Sequence, residues 1–395
     1  MSKILDKFVN EDTKFLNKDD SLRVVFRPNK KLPDEELVIP KFKPTPQYLI
    51  NKGIIIYGPT ETGKSTIFRE FAYLTKDYFP IVFAFAPTNA ETHNYDHIIP
   101  APLVFEDITL KQINEIYSRQ KIASEIYGNA NDLKTLNTLF LKVANARSKM
   151  YLEKLLYFKE RAIKEADSKY ENLSEKKQKK DEIEEIFKEK LIKFYKQIIN
   201  PNYRKLQNMH LSQEEKFALM YRSLNPHVLI IFDDALTEIM KILKDSKKEG
   251  NEVIKNFFFK GRHCKISHWY GFQDDNRLDS DIRKNAHISI FTSKAVALAF
   301  FTRAANNFTK TEITKAEAVI DIVFSDQAPA YAKLVYSRLD PKHKFYYIVA
   351  REYDDSQVQM CSKPVRDFCK KIMIKSSNFD TSNPYYSKFA NNLIY

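Results

Sequence analysis

Glycine is scarce in this chain, with seven among 395 residues, so a pattern that uses two of them at a fixed spacing stands out from background. Cysteine is scarcer. Cys264, Cys361 and Cys369 are too few and too scattered for a disulfide framework or a zinc site, and they fit a reducing compartment. His263, His268 and His287 stand at no metal-ligand spacing from a cysteine and read as ordinary strand and loop histidines. No Ser–His–Asp arrangement can be argued from spacing, and no internal repeat is visible. The longest apolar runs, such as Ile81–Ala86, are too short to cross a bilayer. Met1–Lys7 lacks the apolar centre of a secretory signal. A soluble protein without a membrane span is expected.

What is present is a hydrophobic content of 43%, enough for a sizeable core, and a net charge of +13. The length suits one large domain with additions, or two domains. The charge points to a polyanionic partner such as nucleic acid, although it also serves plain solubility.

Two of the few glycines bracket Gly58-Pro59-Thr60-Glu61-Thr62-Gly63-Lys64-Ser65, which fits G-x-x-x-x-G-K-[ST], the phosphate-cradling loop. Ile54–Tyr57 before it reads as a buried strand. Ser65–Phe71 after it reads as a helix with an apolar face. Glycines let backbone N–H groups turn towards phosphate oxygens, and the helix N-terminus adds partial positive charge. Lys64 is expected to reach the β- and γ-phosphates of ATP, Ser65 to ligate Mg²⁺, and Thr66 to complete the binding stretch. The bland alternative is a glycine turn that happens to precede a helix.

Around this loop the pattern alternates strand and helix. Ile81–Ala86, Leu103–Phe105, Val228–Phe232, Cys264–Phe272 and Ala286–Phe291 read as strands. Lys333–Ser337 and Phe345–Ala350 flank Asp340-Pro341-Lys342-His343 as a hairpin. Helices are expected at Leu110–Tyr127, over 235–259, and near 293–306 and 312–324. Residues 1–50 form a lead-in with a strand at Leu22–Phe26. The ATPase core spans 51–128 and 201–350, and 351–395 reads as a tail, loose from about 375. The character changes between Gly128 and Pro201, where neither glycine nor proline occurs. Ile183, Phe187, Leu191, Phe194 and Ile198 mark a helix seam. The apolar-free run Ser174–Asp181 reads as a helix–helix turn, making 129–200 an inserted helical hairpin. That insertion is either a solvated structural arm or a lever touching DNA or a partner, with Lys176–Lys180 at its tip.

The strand Val228–Phe232 ends in Asp233-Asp234. Carboxylates at a buried strand end are costly unless a cation pairs with them. Asp233 is expected to hold the Mg²⁺ shell beside Ser65, and Asp234 to orient and deprotonate the attacking water. An acidic N-cap for the next helix is the competing reading of Asp234. Gln273 ends the following strand, where a polar residue can touch both γ-phosphate and water, though polar strand ends are common. Arg262 and Arg283 bracket that strand. Either could neutralise charge on a neighbouring subunit's γ-phosphate, and Arg262 is preferred; a surface arginine is the alternative.

Together Gly58–Ser65, Val228–Asp234, Gly261-Arg262-His263, Gln273 and Ile282-Arg283-Lys284-Asn285 resemble the genome-packaging ATPases of poxviruses, related large DNA viruses and virophages, in the FtsK–HerA branch of P-loop motors. The resemblance covers about 51–110 and 226–350. It implies an α/β fold with a RecA-like, mostly parallel sheet flanked by helices. It also implies a homo-oligomeric ring, ATP and Mg²⁺ as cofactors, and translocation of double-stranded DNA into a preformed capsid through a capsid or vertex protein. The corresponding places are the host cytoplasm, the site of virus assembly, or the virion. Lys64, Ser65, Asp233, Asp234 and Gln273 match the family's motif positions, Arg262 less securely. The long insertion between Lys64 and Asp233 departs from compact members, so its role does not carry over. No room is expected after about 350 for a nuclease domain. Three alternatives stay open: a cellular or plasmid translocase or helicase of the same superfamily, a nucleotide or polynucleotide kinase, and a non-catalytic assembly protein.

Overall fold

The computed structural model describes residues 21–26, 35–127, 132–199, 219, 222, 224–248, 252–274, 278–341 and 343–375. The chain divides into two compact units, Met1–Ile122 with His227–Tyr395, and Ala123–Pro226.

The first unit is built on β-branched and aromatic runs that bury both faces, the signature of a covered parallel sheet. A ribbon of β1 (Ser21–Phe26) and β2 (Glu35–Pro40) pairs antiparallel on its own. The main sheet contains β3 (Gly53–Tyr57), β4 (Ile81–Phe85), β5 (Val104–Phe105), β6 (Val228–Asp233), β7 (Ile266–Phe272), β8 (Ile288–Phe291), β9 (Lys333–Ser337) and β10 (Phe345–Ile348). Its order is β10-β9-β8-β3-β7-β6-β4-β5. From β8 to β5 all neighbours run parallel, and β9 and β10 are added antiparallel. This is the mostly parallel, RecA-like α/β arrangement of P-loop NTPases. Every residue of β3, β4, β6 and β7 is buried.

Helix α1 (Lys64–Thr75) follows β3, and α2 (Leu110–Tyr127) follows β5. α1 buries Ile67, Phe68 and Phe71, and Phe68 and Phe71 lie against the fully buried Trp269 of β7 with ring centroids 6.4 and 5.8 Å apart. Trp269 is thus core, as its apolar setting suggests.

In the second unit, α3 (Leu133–Val143), α4 (Ala146–Lys169) and α5 (Leu173–Ile199) follow one another. Asp132 and Asn145 cap α3 and α4 by accepting from the backbone N–H of Thr135 and Ser148. Leu136, Leu139, Phe140, Leu191, Tyr195 and Ile199 are buried in its core. The stretch Ser174–Asp181, expected to be a turn, is instead the start of α5. α4 ends at Lys169 and α5 begins at Leu173. A run of charges is no barrier to a helix, because lysine, glutamate and glutamine are good helix formers. A third helix, α3, joins the expected hairpin, and the compact unit extends beyond 129–200 on both sides.

The first unit also holds α6 (Leu236–Lys248), α7 (Val253–Lys260), α8 (Ser280–Asn285), α9 (Lys294–Thr302), α10 (Lys310–Val323) and α11 (Lys363–Lys375). The expected tail from 351 is corrected in part. Val358, Met360, Cys361, Val365 and Cys369 are buried, and the Met360 and Ser362 amides donate to Ile98 and Pro80 carbonyls at 2.8 and 3.0 Å. Residues 376–395, expected to be loose, lie outside the described residues. The lead-in supplies two strands, β1 and β2, rather than one, and Phe42 N–H donates to Tyr347 O at 2.7 Å.

Candidate active site

The phosphate-loop sequence emerges where β3 ends. Gly58 N–H donates to Phe272 O at 2.9 Å, continuing the pairing of β3 with β7 by one residue. The loop then turns through left-handed backbone at Glu61 (φ 63°) and Gly63 (φ 90°); the second value is one that glycine adopts readily. Gly58 is needed for room: a Cβ there would collide with Thr292 Oγ1, just past β8. Thr292 also braces the loop through a 2.5 Å hydroxyl contact with Thr62, whose hydroxyl donates to Pro59 O at 2.7 Å. Pro59, Thr60 and Glu61 are exposed, while Ser65 and Thr66 are half-buried in the first turn of α1. Lys64 is 7% exposed. Its ammonium donates to Gly58 O at 2.8 Å and Pro59 O at 3.0 Å, lying inside the loop's curve. A helix N-terminus with free N–H groups and an enclosed lysine is an anion site by construction.

Asp233 ends β6. One strand separates it from the loop strand, because β7 pairs with both. In register, Ile56 of β3, Gly271 of β7 and Asp233 of β6 stand side by side. The middle residue decides the geometry: a Cβ on Gly271 would lie 2.5 Å from Asp233 Oδ1 and 3.0 Å from the Phe68 ring. The missing side chain makes room for the Asp233 carboxylate. Asp233 is 6% exposed. Burial, and then the neighbouring Asp234, push its carboxyl up to about 6, against the downward pull of the Tyr95 hydroxyl and the Lys64 ammonium. Tyr95 OH donates to Asp233 Oδ2 at 3.0 Å. Burial and the adjacent Asp233 carboxylate in turn raise the Tyr95 phenol well above its ordinary value.

Asp234 takes left-handed backbone (φ 49°) and donates its N–H to Gly271 O at 3.1 Å. Its Oδ1 is buried without a hydrogen-bond partner. Gln273 follows the last residue of β7 at the same edge and is exposed. The sheet thus brings Gly58–Thr66, Asp233, Asp234 and Gln273 to one edge.

The arginines part company. Arg262 precedes β7, and β7 is parallel to β3, so it lies at the opposite sheet edge, ~20 Å from the loop at the usual rise per strand residue. It is exposed and borders a cavity of about 760 Å³ with Asn51, Lys52, Tyr78 and His263. Arg283 is 4% exposed; its Nε donates to Asn306 Oδ1 at 2.9 Å and its Nη1 to Leu278 O at 2.8 Å. The expectation that Arg283 could serve a neighbour's phosphate is corrected: its guanidinium braces the interior of its own unit. His268, read as ordinary, is buried and His287 half-buried; burial first, with nearby cations added for His287, lowers them to about 3 and about 4.

Tyr95, Gly271 and Thr292 were missed by sequence reasoning. Gly271 had a signal, a glycine inside an apolar strand of a glycine-poor chain, which marks close approach. Thr292 is a polar residue closing an apolar strand, a weak sign. Tyr95 had none, since only the fold carries it to Asp233.

The donor set fits a magnesium nucleotide. It is all oxygen, as a hard cation requires. Asp233 is a buried acid whose carboxyl is raised by burial and by the neighbouring Asp234, and Asp234 Oδ1 is an orphaned acceptor. Among the described residues no group of three or more His, Cys, Asp or Glu side chains could hold a metal. Mg²⁺ keeps waters and binds through one or two protein groups plus phosphates.

No family model matches the chain. It is 29% identical over 368 residues to the uncharacterized protein B354L of African swine fever virus (isolate Tick/Malawi/Lil 20-1/1983), covering 90% of this chain and 97% of that one. Among solved structures it is similar to the pCW3 conjugation coupling protein TcpA with ATPγS, at 13% identity and TM-score 0.34, covering 91% of this chain and 73% of that one. It is also similar to the bacterial conjugative coupling protein TrwB, at 12% identity and TM-score 0.34, covering 80% and 90%. Overlaps at that score are too loose to transfer a function. No described helix is long and apolar enough to cross a membrane.

Proposed function

We propose that this protein is an ATPase that moves double-stranded DNA, and that its cargo is a viral genome delivered to a preformed capsid. The observation carrying the ATPase reading is the convergence on one sheet edge of an enclosed Lys64 with Asp233, close enough for the ammonium to act on the carboxyl across Gly271. Ser65 and Asp233 would hold Mg²⁺, which supplies charge neutralisation on the phosphates. The loop amides and Lys64 bind and orient the triphosphate. Asp234, with one carboxylate oxygen free of any partner, takes a proton from the attacking water. Gln273 stands where it can report the γ-phosphate to the rest of β7. Arg262, far from its own loop and exposed, acts on a neighbouring subunit's nucleotide in a ring. A finger of that kind contributes roughly 10³–10⁵ in rate.

The net charge of +13 supports a polyanionic partner. The near-full-length viral relative supports a viral setting, in the host cytoplasm, at the assembly site or in the virion, with a capsid or vertex protein as the receiving partner. An ATPase assay with and without duplex DNA tests the reading. Wild type should hydrolyse ATP faster with duplex, an effect that fades as salt rises, and Lys64→Ala should lose at least about 100-fold. Hydrolysis indifferent to DNA would remove translocation. Wild-type turnover in Lys64→Ala would remove the site.

A further inference from the structure

The flank of the phosphate loop that faces β8 and β9 carries a cation that the scheme above leaves without work. β9 runs antiparallel to β8, so its first residue, Lys333, arrives at the edge where β3 and β8 release their chains. Leu334 stands beside Phe291, and Phe291 beside Tyr57. One step further towards the loop come Lys333, Thr292 and Gly58. The Cε of Lys333 is 3.8 Å from the point a Cβ on Gly63 would occupy, so its stem runs along the loop at the residue before Lys64.

Lys333 is half-buried, and its ammonium meets no hydrogen-bond or ion-pair partner among the described residues. Burial lowers its pKa, and no carboxylate contributes a restoring pull. An ammonium drawn out of water without a counter-charge is costly. The side chain nevertheless lies against a loop built to receive an anion.

We propose that Lys333 is a second phosphate-binding lysine, whose ammonium donates to an oxygen of the bound nucleotide's phosphate chain from the flank of the loop opposite Asp233. This rests on the reading of the loop as a nucleotide site. The two sides of the loop then differ in kind. Towards β6 the acids accept the metal; towards β9 a cation meets the phosphates directly. Lys64 acts from inside the curve, and Lys333 closes it from outside.

Calorimetric titration of Mg·ATP and Mg·ADP into wild type, Lys333→Met and Lys333→Arg tests the assignment. Methionine keeps much of the stem and removes the charge. Lys333→Met should weaken Mg·ATP by about tenfold or more, the range of a hydrogen bond to a charged group, and Lys333→Arg should recover most of that loss. Lysine acylation followed by mass spectrometry, run on the wild-type protein, gives a readout that no folding defect can mimic. Mg·ATP should protect Lys333 together with Lys64 and leave the exposed Lys294 unchanged. If wild type fails to bind Mg·ATP, the nucleotide reading itself falls, and this assignment with it. If wild type binds, but Lys333→Met binds within twofold of it or Lys333 stays reactive, this assignment alone is overturned.

Discussion

The two units of this chain treat the same kinds of side chain in opposite ways. In the sheet unit, Tyr57, Trp269, Tyr270 and Tyr347 are all but fully buried. In the helical unit, Tyr157 is 63% exposed, Phe158 60% and Met150 58%. A sheet covered on both faces has an interior in which most side chains lose water; a long pair of helices has one seam and leaves most of its circumference outside. The difference extends to charge. Asp233 is buried enough for its carboxyl to rise to about 6. Lys159–Glu184 and Lys180–Asp167, bridging α4 and α5 at 2.6 and 2.7 Å, join groups that remain partly in water. Chemistry needs the first environment, since low dielectric is what gives a carboxylate leverage on a neighbour. The second environment makes a solvated frame.

The largest expected effect lies at the sheet edge. Asp234→Asn removes the proton acceptor while keeping the size and the backbone bond to Gly271 O. Turnover should fall by about 10²–10⁴, the usual contribution of a positioned base, while Mg·ATP affinity stays within a few-fold. Rapid-quench turnover alongside equilibrium binding separates the two. A variant that binds and turns over normally would leave the adjacent acids without a catalytic reason.

A smaller effect, of opposite sign, is expected one residue earlier. Asp233 holds a proton in the folded state up to about pH 6, whereas an unfolded carboxyl has lost it by about pH 4. The folded state therefore binds more protons in that window, and stability falls as pH rises through it. The penalty is complete above pH 6 and amounts to about 2–3 kcal/mol. Asp233→Asn, which still accepts from Tyr95, should make the nucleotide-free protein more stable at pH 7.5 by about 1–3 kcal/mol. The gain should shrink towards zero near pH 4, and hydrolysis should be lost. Urea melts of both proteins at several pH values measure it. Equal stability at pH 7.5 would mean that the Asp233 carboxyl is not isolated from water as the structure has it.

The sequence was legible where burial leaves a simple pattern. Ile54–Tyr57 and Val228–Phe232 are unbroken apolar runs, and their strands stand where those runs stand. Lys64 and Asp233 were found because motif and strand end coincide. The order of strands was not readable in residues: that β7 lies between the loop strand and the acid strand is a property of chain crossings. Gly271 and Tyr95 therefore gained their meaning only in space. Arg283 shows the converse failure. An arginine next to a candidate sensor strand looks available, and only its bonds to Asn306 and Leu278 reveal a brace. In the helical unit, Ser174–Asp181 misled because a fully polar stretch is equally the signature of a turn and of the exposed start of a helix.

The smallest expected effects belong to the hairpin, and they test the comparison most sharply. Lys159 bridges to Glu184 and also stands 5.1 Å over the Phe187 ring. The Glu184 side chain is 52% exposed, so solvent screens the pair and Lys159→Ala should cost under about 1 kcal/mol. Phe158→Ser should change stability by no more than about 0.5 kcal/mol, because the ring stays largely in water on folding. Urea melts of the single variants supply both numbers. A loss of 2 kcal/mol or more at Phe158, and more so one that depends on protein concentration, would mean that this face is covered in solution by another surface. The contrast between a buried working unit and a solvated frame would then fail at its exposed end.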